Sequence, residues 1–477
     1  MIGRTAVPAG AMRAAAWSGF ALCFAAIWFA TSSLEPPARS ALLISGAAIL
    51  AWCFTVVDEW QTGCAASGAF WVTGAITTPQ IVSAATHDLI GLLIAAYVIG
   101  FAVARTGLMD AIAARLLQGS MTVATLFRRV AIVVAATAFF IPATSARAAI
   151  LLPIHRLLEA SLPDAKTHRA LAILIPTIIL LSAGAVLTGA AAHLVAVELL
   201  SAAGGRQLGY WPWLIAAGPV ALLSCIVAVH LGLWLFVDHD CQQQRVAAKS
   251  MVSRPFDGID YAMMATITAT IAGWITNNWH GTGLATVGMA SAVIVSALAQ
   301  CRAPASGGSY IRAVDWKILA LLISTVLIAE ALLSSGAVAV LATAFLHIVP
   351  PFILRSDALT VGMTAAIAML AHLVIPSRSA RAAVLIPALA LPIANAGHDV
   401  TTLTMVIVLG TGFCQLVPYG AKPLLIFAGQ SGGREFKHDL IRLGLPLMAI
   451  YWIGLVGSAL MFWPVLDFFA QTRGNAN

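Results

Sequence analysis

The chain has 477 residues, 60% hydrophobic and only 9% charged, with a mean hydropathy of +0.93. A soluble protein of this size needs roughly a quarter of its residues charged, so a water-soluble enzyme or a nucleic-acid-binding protein is excluded. The net charge of +7 is instead the loop excess of Lys and Arg that membrane proteins keep on the cytoplasmic side.

Apolar runs of about 20 residues match a bilayer core of roughly 30 Å, and no alternating strand pattern suggests a barrel. The predicted fold class is therefore an all-α polytopic membrane protein with about eleven transmembrane helices. The seven cysteines are scattered, with no CxxC or Cys/His cluster. Neither a disulfide framework nor a metal site is expected from them.

Arg4 and Arg13 precede an apolar run at 14–30, which reads as an uncleaved first helix because more spans follow at once. After the Glu35-Pro36-Pro37 turn, a second span covers 40–57. Asp58-Glu59-Trp60 interrupts it, and a short third span reaches about Ile76. The fourth covers 89–104. Trp60 and Trp279 suit interfacial anchors. Arg105, Arg115, Arg128 and Arg129 mark a basic loop, with an amphipathic piece at 108–117 lying at the interface. The stretch 130–158 has two apolar arms, each too short to cross, with positive charge at both ends, which predicts a re-entrant hairpin. The next span, 170–202, is interrupted by small residues from Ser182 to Ala190, the mark of a discontinuous helix lining a protected cavity. A sixth span covers 211–237.

Residues 238–257 form the most hydrophilic linker, with Arg245, Lys249 and Arg254. The second half repeats the plan, with spans at 261–275, 284–299 and 318–333 and a hairpin at 359–396. A helix at 403–428 follows, broken from Pro418 to Pro423, and then a last span at 443–469. The domain organisation read from this is an extra first helix (1–38), a first repeat (39–237), the linker (238–257) and a second repeat (258–477).

The strongest feature is a recurrence. Residues 141–153, IPATSARAAILLP, return at 375–387 as IPSRSARAAVLIP, with nine of thirteen positions identical at a constant offset of 234. Residues 99–117 align likewise with 328–346, each pivoting on a glycine, Gly107 and Gly336. With the N-terminus inside and both hairpins re-entrant, the loop cations collect on the cytoplasmic side. Only Arg39, Arg206, Arg355 and Arg473 fall outside, along with the C-terminus. The two halves are then inverted relative to each other, and inverted repeats place a transport site at their interface near the bilayer midplane.

Four cations remain, each at a hairpin tip or helix break: Arg147, Arg378, Arg381 and Lys422. A cation in the membrane costs about 2.5–3.5 kcal/mol even on the lenient scale. Glu198 and Glu330 are the plausible intramembrane acids, and neither lies in the repeated stretch. If Ser145 and Ser379 cap the second hairpin arms, Arg147 and Arg381 fall in their first turns. Dipole, free N–H groups and guanidinium would there welcome an anion together. The structural alternative is that these side chains bind freed backbone carbonyls or reach for the interface. His193 and His372 read as hydrogen-bonded core residues.

At this point the pattern resembles the divalent anion:sodium symporter (DASS) family. That family carries Ser-Asn-Thr at its hairpin tips, ten residues before a proline. Here the corresponding residues are Ala143-Thr144-Ser145 and Ser377-Arg378-Ser379. Its Thr-Pro-rich helix breaks are matched loosely by Thr188-Gly189 and by Val417-Pro418-Tyr419-Gly420, and its turn after the second span only weakly by Trp52 and Asp58-Glu59. The resemblance implies a homodimer, a fixed scaffold, and an elevator domain made of the hairpins and the broken helices. It also implies a di- or tricarboxylate or sulfate as substrate. The substrate-binding candidates are Thr144, Ser145, Arg147 and Thr188 in the first half. In the second half they are Ser377, Arg378, Ser379, Arg381, Pro418 and Lys422.

Thr144 and Arg378 replace both tip asparagines, and the downstream Pro-Pro-Asn is missing. An arginine where a sodium ligand belongs suggests a fixed charge in place of a bound cation. The expectation is a sodium-independent exchanger or a proton-coupled carrier in the inner membrane, with no cofactor and no nucleic-acid partner. Sodium-coupled symport is the alternative within the fold. An enzyme lacks its nucleophile–base or metal set, and no ATP-binding motif is present. An arsenite or cation antiporter of the same superfamily would not need four cations.

Overall fold

The computed structural model describes residues 9–54, 57–206, 208–247, 254–302, 310–429 and 433–466. Arg4, Lys249 and Arg473, and the end of the last predicted span, lie outside them. The first half opens with α1 (Ala9–Ala30), α2 (Pro36–Phe54) and the short α3 (Glu59–Val72). Pro36 and Pro37 occupy the first turn of α2, where a missing N–H breaks no helical bond. Next come α4 (Thr78–Ala85) and α5 (Asp88–Thr106), which form one bent span. This crossing starts earlier than the predicted 89, because Thr78, Gln80 and Ser83 dilute the apolar signal of α4. Helix α6 (Leu108–Leu117) coincides with the predicted amphipathic piece, and Gly107 turns the chain into it at φ 66°.

Strand β1 (Ser120–Thr122) leads into the first hairpin, whose arms are α7 (Val123–Ala136) and α8 (Thr144–Glu159). The first arm begins at Val123 rather than near 130, because the Thr122 hydroxyl caps it by accepting from the Thr125 N–H at 3.2 Å. Arg128 and Arg129 therefore lie on the exposed face of the arm and not before it. The discontinuous helix is α9 (Ala165–Ala183) and α10 (Ala191–Ala202), followed by α11 (Tyr210–Phe236), α12 (His239–Gln243) and β2 (Arg245–Ala247). The linker is more than a spacer, since β2 pairs antiparallel with β1, Met121 opposite Val246.

The second half contains α13 (Gly258–Ile275), α14 (Asn277–His280), α15 (Leu284–Arg302), α16 (Tyr310–Ala313) and α17 (Trp316–Ser334). Gly336, at φ 76°, repeats the pivot of Gly107 before α18 (Ala337–Ile348) and α19 (Pro351–Leu354). The second hairpin is α20 (Asp357–Leu370), then α21 (Arg378–Leu385) and α22 (Leu391–Asn395) joined by a π turn at Ile386–Ala390. Neither second arm stops at its proline: α8 runs through Pro153, and the π turn widens the helix around Pro387. A proline removes one ladder donor and crowds the preceding turn, and a π turn relieves that crowding. The chain closes with α23 (Val400–Gly410), α24 (Lys422–Ala428) and α25 (Gly433–Gly457). The second break runs from Thr411 to Ala421, opening earlier than the predicted Pro418.

Among the described residues, seven helices are long and apolar enough to cross a membrane by length and composition. Shorter apolar helices, among them α10, α18 and α23, accompany them. The packing of the two halves follows the sequence repeat. Helix α3 lies along α17 as α15 lies along α5, and α24 meets α8 as α10 meets α21. At the second break, α25 comes so close that a methyl group on Gly444 would collide with the Gln415 carbonyl, whereas Gly454 has nothing within 4 Å. Gly444→Ala is expected to lower stability in detergent by about 1–3 kcal/mol, the usual cost of overpacking. Gly454→Ala should stay within about 0.5 kcal/mol, with thermal unfolding of both variants as the check.

Candidate functional site

A helix that breaks inside hydrocarbon releases carbonyls that water cannot reach. At the first break these are met by Arg147, whose side chain is completely buried. Its Nε donates to Thr137 Oγ1 at 2.8 Å and its Nη1 to the Ile179 carbonyl at 2.9 Å. Its Nη2 donates to the Val134 carbonyl and to Ser182 Oγ, both at 2.7 Å. The guanidinium therefore pins the first hairpin to the end of α9. Arg381 repeats the device in the second half, equally buried. Its Nη1 donates to the Ile375 and Pro376 carbonyls at 2.7 and 3.1 Å, and its Nη2 to the Thr411 carbonyl at 2.9 Å and to Cys414 Sγ at 2.8 Å.

This corrects the expectation that Arg147 and Arg381 face an anion. The caps are also displaced: α8 is preceded by Ala143 and α21 by Ser377, not by Ser145 and Ser379. The backbone N–H groups of Arg147 and Arg381 already donate to the Ala143 and Ser377 carbonyls at 3.0 Å. Every nitrogen of the Arg147 guanidinium is engaged, whereas Arg381 donates through Nη1 and Nη2 and its Nε is buried with no hydrogen-bond partner among the described residues.

Arg378 is different. It opens α21 at the tip of the second hairpin, and its Nη2 donates to His193 Nε2 at 2.8 Å. That makes Nε2 the acceptor, so the ring proton sits on Nδ1 and is donated to the Val186 carbonyl at 3.0 Å. His193 is fully buried against Trp213, whose indole N–H donates to the Gly184 carbonyl at 3.1 Å. On its other side the guanidinium passes over Gly412, where a methyl group would lie 2.5 Å from Nη2. Arg378 thus spans the two breaks. Its Nε and Nη1 are buried with no hydrogen-bond partner among the described residues.

The other candidates divide by hairpin. Ser377 caps α21, accepting from the Ala380 N–H at 3.3 Å, and its hydroxyl donates to Glu59 Oε2 at 2.5 Å. Ser379 is half-buried beside it, Lys422 opens α24 with an exposed side chain, and Pro418 is half-buried in the second break. Thr188 is buried in the first break. Thr144 and Ser145 are half-buried at the first tip, and among the described residues no hydrogen bond joins them to the second hairpin.

The expected acids lie elsewhere: Glu198 of α10 pairs with His87 at the α4–α5 bend. With Glu330, Ser83 and Ser201 they line a separate cavity of about 160 Å³. His372 is buried, with Nδ1 on the Met369 carbonyl at 2.5 Å. Glu59 is the site residue that sequence reading missed. Its available signal was an acid at the start of a short span, immediately before Trp60.

Two inverted halves, each presenting a half-crossing hairpin to a broken helix, define a membrane secondary transporter. The chain matches the family described as the sodium:sulfate symporter transmembrane region over residues 3–469, and it belongs to that family. It is an anion transporter and not an enzyme. Among solved structures it is similar to the Alcanivorax borkumensis YdaH transporter, described as having an unusual topology. The identity is 16% and the TM-score 0.55, over 80% of this chain and 86% of that one. That likeness is one of fold. No curated protein matches.

Arg147→Lys and Arg381→Lys separate bracing from cargo binding. An ammonium cannot reach the four acceptors that the planar fork serves, and each orphaned buried acceptor costs about 1–3 kcal/mol. Both variants are expected to unfold at clearly lower temperature than the parent. An unchanged melting temperature with lost transport would restore the direct anion role.

Proposed function

We propose that this transporter carries a small di- or tricarboxylate or a sulfate-like anion without sodium, by exchange or with protons. The observation behind this reading is the Arg378 guanidinium, wedged between the two breaks with two N–H-bearing nitrogens lacking partners. Arginine keeps its charge in proteins, so a fixed cation sits where the family resemblance implies a sodium-binding asparagine. The planar fork suits carboxylate and sulfate oxygens alike. Lys422 and the Ser377 hydroxyl at the neighbouring tip add donors for the same cargo. The family name supports sodium coupling instead, and that reading requires a cation site beside a permanent positive charge.

The inner membrane, a cytoplasmic N-terminus, an external C-terminus and a homodimer complete the proposal. They rest on the loop charges and the family resemblance. Uptake into proteoliposomes tests the coupling: rates in sodium and in choline buffer are expected to agree. Arg378→Gln should reduce uptake by about tenfold or more, the equivalent of one lost charge-assisted hydrogen bond. A steep sodium requirement in the parent protein overturns the reading.

A further inference from the structure

The tip of the second hairpin already meets a carboxylate supplied by the chain itself. Glu59 is the first residue of α3, far from the hairpin in sequence, yet its Oε2 accepts from the Ser377 hydroxyl at 2.5 Å. Ser377 in turn accepts from the Ala380 N–H. The carboxylate is therefore relayed onto the N-terminus of α21, where the helix dipole favours negative charge.

The carboxylate is delivered from a fixed base. Trp52 Nε1 donates to the Glu59 carbonyl at 3.1 Å, and Asp58 lies 4.0 Å from Lys317 at the start of α17. Further along α3, Gly63 lies so close to Ser324 of α17 that an added methyl group would be 2.9 Å from its Cβ. Helix α3 is thus bound to α17, and the Glu59 side chain reaches from it to the hairpin.

We propose that Glu59 is a specificity-determining residue that competes with the transported anion for the second hairpin tip. Empty, the tip is held by Glu59, which bridges α3 to α21. An incoming carboxylate or sulfate takes the Ser377 hydroxyl and the field of Lys422, and Glu59 turns away. Neutral solutes cannot displace it, because they bring no charge to exchange for the one that leaves. This inference rests on the anion-transport reading above.

The test uses the full chain purified in detergent, with potassium sulfate and potassium succinate as probes in thermal unfolding. Without either anion, Glu59→Gln and Ser377→Ala are each expected to lower the melting temperature. The double variant should be no worse than the poorer single one, because both remove the same contact. With anion present, Glu59→Gln should be half-stabilised at about a tenfold lower concentration than the parent, since the internal rival is gone. Glu59→Asp, which keeps the charge but shortens the reach, should show a smaller gain, and it serves as the readout where the Gln form does not fold. If sulfate or succinate stabilises the parent and neither Glu59 variant binds it more tightly, the competition is overturned and anion transport stands. If neither anion stabilises any form, both readings fall.

Discussion

Backbone carbonyls freed inside a membrane have only protein to satisfy them, and two buried arginines answer that need at equivalent points of an inverted repeat. Arg147 gathers acceptors from the end of α7, the turn after it and the end of α9, and Arg381 gathers its own from the second tip and the second break. Each hairpin is thereby locked to its broken helix through one planar fork. A guanidinium with five donors in fixed geometry is suited to this, and an ammonium is not.

On the shared frame the two tips diverge. The first presents Thr144; the second presents Arg378 at the corresponding position, 234 residues on. The extra side chain needs room and a partner, and the structure gives it both. Gly412 leaves the space on one side, and His193, held by Val186, offers an acceptor on the other. The His193 tautomer is thus set by its neighbours, which makes it a positioning residue for Arg378 and not a proton carrier in this arrangement.

The architecture was legible because the SARAA repeat and the paired pivot glycines encode both hairpins directly. The roles of the arginines were not. A sequence shows stranded charge, but it does not show where α9 and α23 release their carbonyls, and the second break opened at Thr411, ahead of the Pro418 that signalled it. The caps were misassigned for a related reason, since Ser377 and Ser379 flank Arg378 and only the backbone turn distinguishes them. Glu59 was passed over because its partner Ser377 belongs to the other half of the chain, and nothing local to Asp58-Glu59-Trp60 points to that contact. The β1–β2 pairing was hidden likewise, two three-residue strands being too short to show a period.

Charge then constrains how such a device can cycle. If the second hairpin carries Arg378 across the membrane unneutralised, an elementary charge moves through the field at about 2.3 kcal/mol per 100 mV, besides the desolvation cost. Glu59 can offset positive charge at this tip only where α3 stands, because α3 is packed along α17. Away from that position the remaining source of negative charge is the cargo. On that condition an anion would be at once the substrate and the means of electrically inexpensive travel, while the proposed role of Glu59 is to stabilise the tip at a single station. On the proposed roles of Arg378 and Glu59, selectivity for charge and coupling of movement to loading would follow from the same two side chains, one cationic on the hairpin and one acidic on its support.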